Sequence, residues 1–212
     1  MLGIDPIIID PTYLYVIPTI TTYYDTLRAN IGTSAIQALV RDSITNYSTN
    51  SLEQFGKKLR YSRFVRDLDN TNDAVLNNEA EFKMQKRFVP STTSATLVEL
   101  EFHNAIEKNS ITSTTFTFNN FIAQLDDDGL GNIRMFRFNT EKEQVFIDSK
   151  AGAIDYTTGK VSLNSFVVSA FDGIEVKVNA NPVNKDIVPV REQIIIISSA
   201  DAVIDTQAEV SN

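Results

Sequence analysis

His103 is the only histidine in the chain, and it ends an alternating run, Val98-Glu99-Leu100-Glu101-Phe102-His103, on the side of Glu99 and Glu101. A general base works only when a nucleophile or partner acid converges on it. No second histidine, no Ser-Gly elbow and no cysteine stands near it, so His103 reads as a surface residue. Glu99 and Glu101 share one strand face without the cleft that paired-carboxylate glycoside hydrolysis needs. The run Asp126-Asp127-Asp128-Gly129-Leu130-Gly131-Asn132 offers several oxygens on a flexible loop. It fails the EF-hand spacing, because its acids are consecutive and Met135 stands where a bidentate glutamate is needed. Asp-Gly is a strong turn signal, so the loop reads as a solvated hairpin turn, with a cation site as the alternative. Gly3, Gly32, Gly56, Gly129, Gly131, Gly152, Gly159 and Gly173 form no phosphate-binding or dinucleotide fingerprint. The inventory gives no catalytic residue, no cofactor-binding residue and no metal ligand, and the chain reads as a non-enzyme without a small-molecule substrate.

Charge is the other chemical signal. The 212 residues carry 19 Lys and Arg against 27 Asp and Glu, a net charge of -8 that repels nucleic acid on average. Phe55 to Pro90 nevertheless holds eight of those basic residues against five acids, leaving 11 basic and 22 acidic residues elsewhere. A solvated helix and strand face accounts for such a band; docking on an acidic neighbouring subunit is the sharper reading. The candidate interface residues are Arg60, Arg63, Arg66, Lys83 and Arg87 from the band, with Arg41 and Tyr47 from the helix before it. Without cysteine there is no disulfide or thiolate zinc site. The apolar runs at 6–20 and 194–197 are too short or interrupted to span a membrane, and Met1 opens no signal-peptide pattern.

The elements that position these residues follow from periodicity. Residues 1–11, with Ile7 to Ile9 between two Asp-Pro pairs, read as a linker or edge segment. Thr12 to Tyr24 is aromatic and β-branched and predicts a strand, with Pro18 imposing a bulge or an edge position. The lack of tryptophan and of positive charge there favours core packing or a subunit contact over a sugar or base platform. Thr33 or Ser34 caps a helix over Ala35 to Tyr47, with Ile36, Leu39, Val40, Ile44 and Tyr47 on one face. Tyr61, Phe64, Val65 and Leu68 define a second amphipathic helix. A polar break follows, with a short turn at Asp73 to Leu76. From Ala80 the period becomes two: Ala80, Phe82, Met84, Lys86 and Phe88 face one way, Glu81, Lys83, Gln85 and Arg87 the other. Ala95 to His103 extends the same sheet. Beyond Asn109 short strands recur at Phe116 to Phe118, Ile133 to Phe138 and Val145 to Ile147. A hairpin joins Ala153–Tyr156 to Lys160–Leu163 through Thr157-Thr158-Gly159, Ile174 to Val178 alternates, and Ile194 to Ile197 predicts a strand buried on both faces. The tail beyond Asp205 reads as frayed.

These elements give an α+β fold: a small helix-covered sheet at the amino-terminal end, a β-rich inserted lobe and closing carboxy-terminal strands. The core domain comprises 1–106 and 149–212, and the lobe 107–148.

The run LRYSRFVRDLDNTNDAVLNNEAEFKMQKRFVP resembles the carboxy-terminal part of the baseplate wedge proteins of T4-like contractile-tailed phages, related to the baseplate J family. The shared order is a "YSR" helix, an acidic-polar turn, an "ILSN"-like bend and a "KKRF-P" strand end. IDYTTGKVSL is similar to the family's "DY-tGx-i-l" hairpin, and a β-rich insertion stands between the two. The resemblance spans most of residues 11–182. It implies a structural virion protein that joins neighbouring wedges into a ring around the tail hub. Its implied partners are other copies of itself and other wedge proteins; it would be made in the host bacterial cytoplasm and reside in the tail baseplate. Family members are several times longer, so the chain is expected to be a fragment or a shortened relative. The competing reading is a free-standing carbohydrate-binding or host-adhesion module that uses the β-rich lobe.

Overall fold

Alternation in TYLYVIPTITTYYD buries Leu14, Val16, Ile20, Thr22 and Tyr24 on one side and makes Thr12–Asp25 a single long strand, β1. The computed structural model describes residues 10–209; the Ile7 to Ile9 part of the leading segment lies outside the described residues. After β1 come helix α1 (Thr33–Tyr47), a π-helical turn (Ser48–Leu52), helix α2 (Tyr61–Asp69) and strand β2 (Val75–Phe88). Strands β3 (Thr96–Glu101), β4 (Thr112–Ser113), β5 (Phe116–Phe118), β6 (Phe121–Asp127) and β7 (Asn132–Phe138) follow. The chain then adds β8 (Gln144–Asp155), β9 (Lys160–Phe166), β10 (Ala170–Phe171), β11 (Val176–Ala180), β12 (Gln193–Ile197) and β13 (Val203–Glu209). The described residues are β-rich with two α-helices, and neither helix is long and apolar enough to cross a membrane.

Hydrogen-bonded neighbours run β12-β1-β2-β11-β4-β6-β7-β8-β9-β3, with β13 on β1 and the β5–β10 pair off β6. β1 and β2 are antiparallel over Tyr15↔Gln85 to Tyr24↔Val75, β11 adds to β2, and β12 and β13 lie parallel to β1. The far strands curl back on the near ones, so that Phe88 on β2 meets Phe166 on β9 at 5.7 Å between ring centroids. Among the described residues the buried apolar side chains form one cluster apart from Ala74 and Phe136.

A stack of rings fixes the helices to the sheet. Phe64 on α2, fully buried, is 5.3 Å from Tyr47 at the end of α1 and 5.3 Å from Phe82 on β2, edge to face with both. Ile36, Val40 and Ile44 on α1 and Leu68 on α2 complete the buried helix faces. The Ser48 hydroxyl donates to Glu53 Oε1 at 2.8 Å and accepts from the Ile197 amide at 2.9 Å, tying the π-helical turn to the end of β12.

Several sequence expectations are corrected. Pro18 makes β1 neither an edge nor a bulge; the register shift is at Tyr23/Tyr24. Even-numbered residues of β1 turn their backbone groups toward the parallel strands, as Val16 does in accepting from the Ser198 amide. β12 ends opposite Val16 and β13 begins opposite Thr19, so the missing N–H of Pro18 falls in the gap between them. The α1 N-cap is Gly32 without a side-chain cap bond, because the Thr33 hydroxyl pairs instead with the Tyr24 hydroxyl at 3.0 Å. β2 begins at Val75, ahead of Ala80: the Asn72 side chain accepts from the Ala74 amide, closes the turn early and lets Val75 pair with Tyr24.

β3 does not extend the β1–β2 sheet locally; its partner is β9 at the far end. Ile174 is 82% exposed and precedes β11. Ile194 and Ile196 are only half-buried, since β12 has a single strand partner, β1, among the described residues. The tail is no frayed end up to Glu209, because β13 pairs along Thr19 to Asp25. The boundary drawn at 148 falls inside β8, and β4 and β6 continue the sheet from β11 without a break.

Replacing Phe64 with alanine is expected to cost about 3–5 kcal/mol in denaturant unfolding, whereas Arg63→Ala, one residue away and exposed, stays within about 0.5 kcal/mol.

Candidate functional site

The basic band divides into two sets. Arg87 on β2 lies with its guanidinium 3.6 Å over the Tyr15 ring and pairs with Glu175 at 3.3 Å and Asp201 at 3.2 Å. Arg41 donates to the Ser199 carbonyl, and Tyr47 is buried against Phe64, with burial pushing its hydroxyl pKa up. Arg87 and Arg41 are engaged inside the fold: β2 lies between β1 and β11, and α1 packs beside β13, so their polar ends meet this chain's own loops, whereas Tyr47, though packed on Phe64, also lines the cleft of the remaining residues. Lys83 is exposed on β2, away from the helices.

The other three converge. Arg60, Arg63 and Arg66 line a cleft of about 700 Å³ beside the π-helical turn, together with Lys57, Lys58 and one acid, Asp67. Lys57 and Lys58 follow Gly56, which has a φ of 73° that glycine adopts freely. Leu59 is then fixed by a reciprocal pair of 3.0 Å backbone bonds with Ile187. The Asp186 carboxylate caps α2, accepting from the Tyr61 amide at 2.9 Å and from Arg60 Nη1 at 2.7 Å. Arg60 beside it holds the Asp186 carboxyl below the usual carboxylate range. Arg66 pairs with Asp67 at 3.1 Å. Lys57, Lys58 and Arg63 are exposed and have no carboxylate partner among the described residues. The Gly-Lys-Lys run ahead of the "YSR" helix was the signal for the two lysines. The cap from Asp186 had none, lying 125 residues away.

His103 does not prolong β3. Its φ of 54° turns it out of the strand, and Nε2 lies 3.2 Å from Glu101 Oε2 at the rim of a second cleft that includes Tyr13, Tyr15 and Lys86. Lys86 is buried with Nζ donating to the Tyr13 carbonyl at 2.8 Å. Burial draws its pKa down to about 8, against the opposing charge of Glu101. The folded-state pKa is below the unfolded one, so between about 8 and 10.5 the unfolded chain binds more protons at this site. Stability should therefore rise with pH across that window, and the Lys86→Met variant should lose this component when wild type and variant are unfolded in parallel at pH 7 and pH 10.

The Asp126 to Asn132 loop spends its carboxylates on protein donors. Asp126 receives Nε and Nη2 of Arg134 at 2.9 and 2.7 Å and the Gln144 amide at 2.7 Å. Asp127, 2% exposed, accepts from the Asn109 and Ile111 amides at 2.6 and 2.8 Å and from the Tyr156 hydroxyl at 2.6 Å. Burial and the bonded Asp127 push the Tyr156 pKa up. Asp128 is held at about 2 by the Asn132 side-chain amide and by backbone N–H donors. The loop is thus a hairpin turn whose acids organise the surrounding chain, with Asp127 a hub that joins residues 109–111 to the β8–β9 turn. No group of three or more His, Cys, Asp or Glu placed to hold a metal ion exists among the described residues. Calcium should leave the melting temperature unchanged, while Asp127→Ala should lower stability by about 3 kcal/mol, both read by thermal and denaturant melts.

Fold and cleft together define a β-rich protein with a basic cleft beside α2. Residues 12–87 match the family model described as baseplate structural protein gp6, C-terminal domain III. That span starts at the first residue of β1 and stops one residue short of the end of β2, so it covers the β1-α1-α2-β2 unit that carries both the ring stack and the cleft. A search of curated proteins returned no match. The match makes the amino-terminal unit similar to a domain of a baseplate structural protein.

Proposed function

We propose that the chain is a structural, non-enzymatic subunit of a contractile-tail baseplate wedge, made in the host cytoplasm, and that it joins neighbouring wedges into the ring around the hub. The observation that carries this reading is the coincidence of the matched span with one complete structural unit, from Thr12 through β2. A subunit of this kind must hold its shape while its contacts rearrange, and the ring stack of Tyr47, Phe64 and Phe82 supplies such a rigid body. Other copies of the chain and other wedge proteins are its proposed partners, with no nucleic acid, membrane or small molecule among them.

Electron cryo-microscopy of purified tails should show density for this sheet at the baseplate, repeated around the tail axis. Tails whose baseplate is complete without the chain would overturn the reading. Sedimentation of the isolated chain at rising concentration should show self-association; a strict monomer would remove the contact between copies from the proposal.

A further inference from the structure

We propose that the cleft beside α2 receives an extended acidic segment of a partner protein, with Lys57, Lys58 and Arg63 as the residues that bind its carboxylates. The proposal assigns a partner chemistry to the contact surface of the baseplate reading and in that sense rests on it.

Three observations converge. First, the cleft has an excess of charge that the fold does not consume. Of its five cations, Arg60 is satisfied by Asp186 at 2.7 Å and Arg66 by Asp67 at 3.1 Å, which leaves three cationic groups facing solvent with no carboxylate among the described residues. In a chain of net charge -8 this is a local reversal of sign, and it attracts an anionic partner to the cleft.

Second, Lys58 and Arg63 stand on fixed backbone. Lys58 is followed by Leu59, fully buried and doubly bonded to Ile187, and Arg63 adjoins the buried Phe64. Their main chain loses little further freedom when a ligand binds. Arg63 offers a planar fork suited to a carboxylate, and the two lysines serve as movable point charges.

Third, the lining favours peptide over nucleic acid. Its aromatic residue, Tyr47, is 7% exposed and committed to Phe64, so it gives no face for a base to stack on. A volume of about 700 Å³ takes a few residues of extended chain, whose side chains on one side recur about every 7 Å. It gives no long track for a phosphate backbone.

The test is fluorescence anisotropy with the 212-residue chain and three labelled probes: a peptide of alternating Glu and Ser, one of alternating Lys and Ser, and an oligothymidylate of the same charge as the first. The Glu/Ser peptide should bind, and binding should fall as salt rises from about 0.1 to 1 M and the Debye length shrinks from about 10 to 3 Å. The double variant Lys58→Glu, Arg63→Glu should bind it about tenfold or more weakly, and Lys83→Glu should bind as wild type. Equal binding by the double variant, equal affinity for the Lys/Ser peptide, or tighter binding of the oligothymidylate would each overturn the proposal. A melting curve checks that the variant is folded; if it is not, Lys58→Gln with Arg63→Gln takes its place. Tails that contain the chain while the Glu/Ser peptide fails to bind would refute the cleft assignment alone. Peptide binding by a chain absent from tails would refute the baseplate reading alone.

Discussion

Phe64 depends on two neighbours from opposite sides of the structure, and much of the amino-terminal half depends on Phe64. Its ring meets Tyr47 at the end of one helix and Phe82 in the middle of a strand. Neither short helix buries enough apolar surface to be stable alone, and an isolated nine-residue helix such as α2 is unstable in water. The edge-to-face contacts add about 0.5–1.5 kcal/mol each beyond the area removed from water, and they link three elements through one side chain. The orientation of α2 follows from that link, and the positions of Arg60, Arg63 and Arg66 follow from α2.

Polar bonds then complete what the rings begin, and several of them join distant parts of the chain. Asp186 caps α2 from beyond β11; Ser48 joins the π-helical turn to β12; Asp127 collects the 109–111 segment and Tyr156. Asp186 and Asp127 are half-buried and buried acceptors with several donors each, and Ser48 both donates and accepts, an arrangement that favours one packing over its competitors. The same logic explains why Arg87 is unsuited to contact a partner: two carboxylates and an aromatic face already hold it.

What was legible in the sequence was whatever periodicity encodes. β1, α1, α2, β2 and the hairpin at Gly159 have apolar spacing that settles their type, and the burial of Phe64, Leu68, Phe82 and Met84 follows directly. The basic cleft was half legible, since Arg60, Arg63 and Arg66 share a helix while the cleft also needs the preceding Lys57 and Lys58. Pairing order was not legible. β3 alternates as a strand of the first sheet would, yet it pairs with β9, because alternation specifies a face and says nothing of a neighbour. The same holds for Arg87 and Arg41, whose roles depend on residues that arrive from loops far along the chain.

The proline in β1 marks where two separate carboxy-terminal strands meet along the first strand. Among the described residues, one flank of β1 is lined by residues 193–197 and 203–209, so an early strand of the sheet is finished by two much later ones. While the chain emerges from the ribosome, that flank carries open hydrogen-bonding groups until β12 and β13 have been translated. Closing it requires parallel pairing between segments far apart in sequence, a slow kind of contact to form. Until then β1 is an edge that another nascent chain can occupy, and completion of the sheet is in effect timed by the arrival of β12 and β13.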